Sequence, residues 1–305
     1  MPKRSLGVRR LTFVKKRDRS DDPEQFSPAN LNGDNLLDLF ERWIKGPDAV
    51  PHMDPKSDDC VMIKEVSRPN ELSVLVDTNS GKRGEEGELY TPNSSISARH
   101  INEEDAPTGH TRVLLYVPES GRNALFFSEY CQRGTAGTRL IDLFSKWYIN
   151  ECPDIKMEKE FVREGEDWLQ HIKAVKSIEM RAHRLPECTY EALQTKKGSF
   201  SLEFKPAKGQ DFIRKALDGI RQRKNEANIA KSIFGIPELD GSGETSLLAT
   251  VVGNDGRSKK INLADEVLPH FLRALSENGE PELNNEQFVQ HCLDHASTII
   301  ERLEG

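Results

Sequence analysis

No stretch of this chain approaches the 18 or more consecutive apolar residues of a membrane-spanning helix, and its basic N-terminus has no apolar signal-peptide core. We therefore expect a cytoplasmic protein. The five cysteines (Cys60, Cys131, Cys152, Cys188 and Cys292) lie far apart and form no C-x-x-C pair. So neither a zinc ribbon nor a disulfide framework is supported. Neither G-x-x-x-x-G-K-S/T nor G-x-G-x-x-G occurs, so no familiar phosphate-cradling loop is present. No Ser/His/Asp or Cys/His set stands out locally, although such sets are assembled in space and need no shared motif. An excess of positive charge is missing too. The chain has 43 Lys and Arg against 50 Asp and Glu, a net −7, which argues against a uniformly basic nucleic-acid binder. Apolar residues make up only 36% and charged ones 30%, which predicts thin cores and long polar connections.

What is present is clearest in Gly109–Asn150. Arg112–Val117 and Ala124–Cys131 are apolar runs around a turn at Glu119–Asn123. A glycine-rich break at Gln132–Thr138 follows, and then Leu140, Leu143, Phe144 and Trp147 at i, i+3, i+4, i+7. This strand–strand–helix stretch is the expected core. Leu36–Ile44 echoes Leu140–Tyr148 residue by residue, but the flanks do not match, so two similar core-facing helices are expected and no domain repeat. Both tryptophans in the echo read as packing anchors.

Around this centre, Ser5–Lys15 predicts a strand, and Cys60–Val66 with Leu72–Asp77 a hairpin turning at Arg68–Asn70. Thr78–His100 reads as a long polar loop. Cys152-Pro153-Asp154 marks a break. Strands are expected at Ile155–Val162, Val175–His183 and Ser199–Phe204, then an amphipathic helix at Gly209–Arg223. Leu247–Val252 and Lys259–Leu263 flank Gly253-Asn-Asp-Gly256, a hairpin signal. Helices are expected at Val267–Leu275 and Gln287–Leu303. The sum is an α+β protein of two domains, with mixed or antiparallel sheets flanked by helices. The expected parts are residues 1–153, a second module at 154–240, and a C-terminal hairpin with helices at 241–305 that packs back on the first domain or on a dimer mate.

Three local patterns carry candidate chemistry. His291 and His295 stand at i, i+4 on a helix, a metal-pair spacing. Cys292 occupies the place where a metalloprotease needs Glu, and no third ligand is identifiable, so no metal is assigned. Gly134–Gly137 opens a helix, where free N–H groups bind phosphate, but a simple turn accounts for it. Glu187 upstream of Glu203-Phe-Lys205 fits the loose acid…Glu-x-Lys arrangement of Mg²⁺-dependent nucleases, in which carboxylates hold the ion and lysine helps activate water. Ser199 and Ser201 share that strand face, so it equally suits the wet side of a sheet. No cofactor is expected.

Basic residues cluster in two zones, Lys3–Arg19 and Lys205–Lys231, each with eight cations. They read either as solvated faces or as a local site for an anionic polymer.

The order of elements resembles the RexA family of phage-exclusion proteins, the cytosolic half of a lysogen-encoded Rex system. The likeness runs through Leu36–Ile44, the hairpin Cys60–Asp77, the loop from Ser97 to Asp105, and Val113–Val117 with Asn123–Phe127 ahead of Thr138–Leu143. It continues through Ser177–Arg181 and Ser199–Lys205 to the basic helix Asp211–Lys224. The resemblance implies a non-enzymatic homodimer that contacts double-stranded DNA without sequence preference. It also implies an integral-membrane RexB-like partner through which infection is aborted. Lys208, Arg214, Lys215, Arg221, Arg223 and Lys224 would then be the phosphate contacts. The net acidity departs from what such a binder suggests.

Overall fold

Two strands with unlike neighbours, Arg4–Lys15 and Ala174–Ala182, each organise one unit of the molecule. The computed structural model describes residues 3–18, 20, 23–47, 52–53, 58–84, 86–89, 91, 98–131, 134–165, 172–182, 200–205, 245–253, 258–262, 269–276 and 280–304. The fold is α+β, and every strand pairing among these residues is antiparallel. Unit 1 comprises residues 1–162 with 271–305, and unit 2 residues 163–270.

Unit 1 is built on β1 (Arg4–Lys15) and β2 (Gln25–Phe26), then α1 (Leu36–Ile44). There follow β3 (His52–Met53), β4 (Asp59–Asn70), β5 (Ser73–Lys82), the small hairpin β6 (Gly87–Leu89) and β7 (Arg99–Ile101), β8 (Thr108–Tyr116) and β9 (Asn123–Tyr130). The helix α2 (Gly137–Glu151) and β10 (Ile155–Phe161) complete its first part. The sheet runs β10-β1-β9-β8-β5-β4-β3, with β2 and a late strand, Leu272–Ser276, also paired to β1. α1 starts where Asn35 Oδ1 accepts from Leu37 N at 2.8 Å, a side-chain cap. α2 has no such cap and begins against the glycine turn.

Strand alternation assigns the two sheet faces. Leu11, Phe13, Val74, Val76, Val113, Leu115 and Phe126 pack under α1 and α2. Their alternates Leu6, Val8, Leu75, Leu114, Leu125 and Phe127 pack under the C-terminal helix, Asn285–Glu304. β8 and β9 read as unbroken apolar runs because both their faces are covered. The two echoed helices meet through matching residues, the Phe40 and Phe144 rings lying edge to face at 5.1 Å. Their matching aspartates also behave alike, Asp38 pairing with Arg68 of β4 and Asp142 with Lys159 of β10. Trp43 is 2% exposed and Trp147 partly buried, so both anchor packing.

Unit 2 contains β11 (Ala174–Ala182), β12 (Phe200–Phe204), β13 (Thr245–Val252) and β14 (Ser258–Asn262), in the order β12-β11-β13-β14. Ile172, Val175, Ile178, Met180, Ala249, Val251 and Ile261 are the buried apolar residues among those described in it. The expected hairpin around Gly253 forms, Val252 opposite Ser258.

Several expectations are corrected. The break at Cys152 is not an edge of unit 1, because β10 beyond it pairs along β1 from Arg9 to Lys15. Residues 241–305 are not one module, since β13 and β14 complete the second sheet whereas Asn285–Glu304 packs on the first. Leu272–Ser276 is a strand, β15, where a helix was expected, because Arg4–Gly7 of β1 offers it a partner. The β4–β5 turn falls at Glu71-Leu72, where Asn70 Oδ1 accepts from Leu72 N at 2.9 Å. Within Thr78–His100, β5 continues to Lys82. The expected helix Gly209–Arg223 lies outside the described residues. No described helix is long and apolar enough to cross a membrane.

Candidate functional site

The wet face of the unit 2 sheet carries the residues with the most suggestive chemistry. On β11, Glu179 and Arg181, in line with the buried Ser177, alternate with the buried Ile178 and Met180. Register sets Glu179 directly opposite Glu203 of β12, and Arg181 opposite Ser201. On the far side of β13, Lys260 of β14 faces the same way, two strands from Glu179. Glu179 gathers three donors. Arg181 Nε stands 2.6 Å from Oε1, Ser201 Oγ 3.0 Å from the same oxygen, and Lys260 Nζ 2.6 Å from Oε2. The hydrogen bonds from Arg181 and Lys260 lower its pKa from 4.5 to about 2. Glu203 is held below the ordinary carboxylate value by Lys205, whose Nζ lies 2.8 Å away.

Glu203 and Lys205 thus share one strand face, as Glu-x-Lys spacing requires. Glu187 lies outside the described residues, as do all six expected DNA contacts, Lys208, Arg214, Lys215, Arg221, Arg223 and Lys224. Sequence reasoning assigned no individual site role to Glu179, Arg181 or Lys260. The signal was available for the first two, in the strict alternation Ser177-Ile-Glu-Met-Arg181, but only strand register reveals that they meet Glu203 and Lys260. Among the described residues, no group of three or more His, Cys, Asp or Glu is placed to hold a metal ion. Glu179 and Glu203 are two carboxylates, each already held by a cation, so they do not form a ready Mg²⁺ site by themselves.

Unit 1 uses its charges differently. Beneath the N-terminal end of α3 (Asn285–Glu304), the apolar rows of the sheet end in charge. Glu129, fully buried, accepts from Arg4 NH1 at 2.9 Å, Arg112 Nε at 2.9 Å and Arg112 NH2 at 3.1 Å. Arg112 also donates to Leu283 O at 2.7 Å and lies 4.5 Å from the Phe288 ring. Arg4 reaches Glu282 at 2.8 Å, and His110 bridges Glu282 and Asp77, with Nε2 2.6 Å from Asp77 Oδ1. The network ties β1, β5, β8 and β9 to the segment entering α3. Every polar group in it has its partner, as burial demands. It is a fastening, and no sequence motif announces it.

Part of the N-terminal basic zone is engaged in such contacts. Arg4 is buried in the network, Arg10 pairs with Glu160 at 3.2 Å, Lys15 with Glu24 at 2.8 Å, and Arg9 stacks 4.3 Å over Phe161. Near Arg10, a cleft of about 560 Å³ lies between β1 and the end of α3. There Glu304 Oε1 accepts from Arg122 N at 3.0 Å, across Gly121 at φ +109°. Arg10 and Arg122 against Glu158 and Glu304 leave its lining balanced in charge.

His291 and His295 rings contact each other at 4.8 Å, and His291 Nε2 is buried with no hydrogen-bond partner. Desolvation lowers the pKa of His291. Gly137 is glycine because a Cβ there would collide with the Ser128 side chain of β9. Cys60, Cys131, Cys152 and Cys292 are free thiols, and Cys188 lies outside the described residues.

Charge separates the units. Residues 163–270 hold 18 Lys and Arg against 16 Asp and Glu, leaving 25 against 34 in unit 1. The acidity of the chain therefore belongs to unit 1, and unit 2 is slightly basic. No protein-family model matches the sequence, and no curated protein matches it either.

Proposed function

We propose that this is a non-enzymatic phage-exclusion protein that contacts duplex DNA non-specifically through unit 2. The observation that supports this most is the partition of charge. Unit 1 accounts for more than the whole net charge of −7, and three of the eight cations of its N-terminal zone, Arg4, Arg10 and Lys15, pair with its own carboxylates. Unit 2 keeps Arg181 and Lys260 about half-exposed and Lys205 more so on one sheet face, each paired there with Glu179 or Glu203, and its strand β12 leads into the basic segment Lys205–Lys231. An overall acidic chain with a locally basic unit binds phosphates weakly and in a salt-dependent way. The remainder of the reading comes from the resemblance to the RexA family: a homodimer whose DNA contact is passed to an integral-membrane RexB-like partner.

A gel shift of the full chain with duplex DNA, at low and raised salt and with and without Mg²⁺, tests this. The expected result is an intact, shifted band that weakens with salt. Charge reversals at Arg214, Arg221 and Lys224 should each reduce the salt slope by about 1. An unshifted band at low salt overturns the proposal.

A second reading, a Mg²⁺-dependent nuclease using Glu187, Glu203 and Lys205, is favoured by one observation. Register places a further carboxylate, Glu179, directly against Glu203. DNA shortened only with Mg²⁺, and left intact by Glu203→Ala, would establish it over the first.

A further inference from the structure

The donors around Glu179 form a set that an isolated surface ion pair does not need. Arg181, Lys260 and Ser201 come from three different strands, and all converge on one carboxylate from the same side of the sheet. A guanidinium, an ammonium and a hydroxyl around one point are the groups that hold a phosphate oxygen. Both cations remain about half exposed, 48% for Arg181 and 49% for Lys260, so an anion arriving from solvent meets them. Lys205 extends the same face on β12, and Thr250, opposite Lys260, adds a hydroxyl. Among the described residues of this face, which also include Glu203 and Leu248 opposite Glu179, no aromatic side chain stands.

We infer that this face is a seat for backbone phosphates of duplex DNA, and that Glu179 is a resident anion occupying the seat when DNA is absent. The inference rests on the nucleic-acid reading and assigns it residues that neither the basic helix nor the Glu-x-Lys pattern indicated. An incoming phosphate takes over Arg181 and Lys260 from Glu179. Competition between the two anions keeps affinity low for any single phosphate. Binding then requires several phosphates at once, which favours a polymer over free phosphate. Contacts to phosphates carry no sequence information, so binding through this seat is independent of sequence.

The experiment is a DNA titration of the full chain at several salt concentrations, with thermal melts confirming that each variant is folded. Glu179→Gln keeps the shape and an acceptor but removes the competing charge. Glu158→Gln, on β10 of unit 1, makes the same change in net charge elsewhere. The expected result is severalfold tighter binding for Glu179→Gln, little change for Glu158→Gln, and a salt slope reduced by about two in the Arg181→Gln/Lys260→Gln double variant. If wild type binds DNA but Glu179→Gln and Glu158→Gln behave alike and the double variant keeps its slope, the seat is overturned and the wider reading stands. If neither wild type nor Glu179→Gln binds at low salt, both fall.

Discussion

The two units use charge in opposite ways. In unit 1, Arg4, Arg112 and Glu129 are drawn under α3 and made into a fastening, all three less than 10% exposed. In unit 2, Arg181, Lys205 and Lys260 stand about half exposed or more on a sheet face, around a Glu179 that their groups partly cover. The first arrangement is costly to break, because a lost partner leaves a charge stranded away from water. The second is worth little to stability, and its charges remain available to a ligand. A net charge of −7 conceals this difference, since it sums a strongly acidic unit with a slightly basic one.

The largest expected effect comes from breaking the fastening. Glu129→Ala takes from the buried Arg4 and Arg112 the carboxylate they share, leaving only the partly exposed Glu282 as counter-charge, and should destabilise unit 1 by about 3 kcal/mol. Urea unfolding followed by tryptophan fluorescence reports it, since Trp43 and Trp147 both lie in unit 1. A loss below about 1 kcal/mol would mean that the network is solvated and that the contrast between the units is overstated.

A smaller change sharpens the contrast within unit 1. Asn35→Ala removes the side-chain acceptor for Leu37 N and should cost about 1 kcal/mol. The same unfolding curve measures it. A cost matching that of Glu129→Ala would show that local capping matters as much to unit 1 as the buried network.

The smallest effect belongs to unit 2. The folded-state pKa of Glu179 is depressed from 4.5 to about 2, so its stabilisation is present above about 4.5 and is lost as pH falls towards 2. Glu179→Gln should therefore cost less than about 1 kcal/mol at pH 6, a deficit that shrinks through that window. A carboxyl NMR titration giving an ordinary value for Glu179 would contradict the three-donor geometry.

Much of unit 1 was legible because local pattern and tertiary role agree there. The broad apolar faces of Leu36–Ile44 and Leu140–Tyr148 were needed for packing and appear as helices with little change in their boundaries. The spacing of Phe288, Cys292 and Ile299 likewise marked the C-terminal helix. Legibility failed where a distant strand decided the outcome. Leu272–Ser276 follows an apolar rhythm compatible with a helix, but a free stretch of β1 takes it as a strand. Cys152-Pro153-Asp154 looked like a domain edge because a turn looks the same whether the chain leaves a sheet or returns to it. Of the candidate site, Glu203 and Lys205 were readable from their spacing. Glu179 and Lys260 were not, because strands 81 residues apart in the chain bring them together.

By itself the sequence determined which segments are amphipathic, where turns fall near glycine and asparagine, and that two regions are rich in cations. Those properties depend on neighbours within about one helical turn or a few strand residues, so periodicity records them. The tertiary structure alone decided that the first sheet is covered on both faces, that Arg4 and Arg112 serve as a fastening, and that Glu179 meets Glu203, Arg181 and Lys260. Each of these depends on strand register and on which helix covers which face. Register aligns residues tens to hundreds of positions apart, so composition and local spacing contain no trace of the pairing.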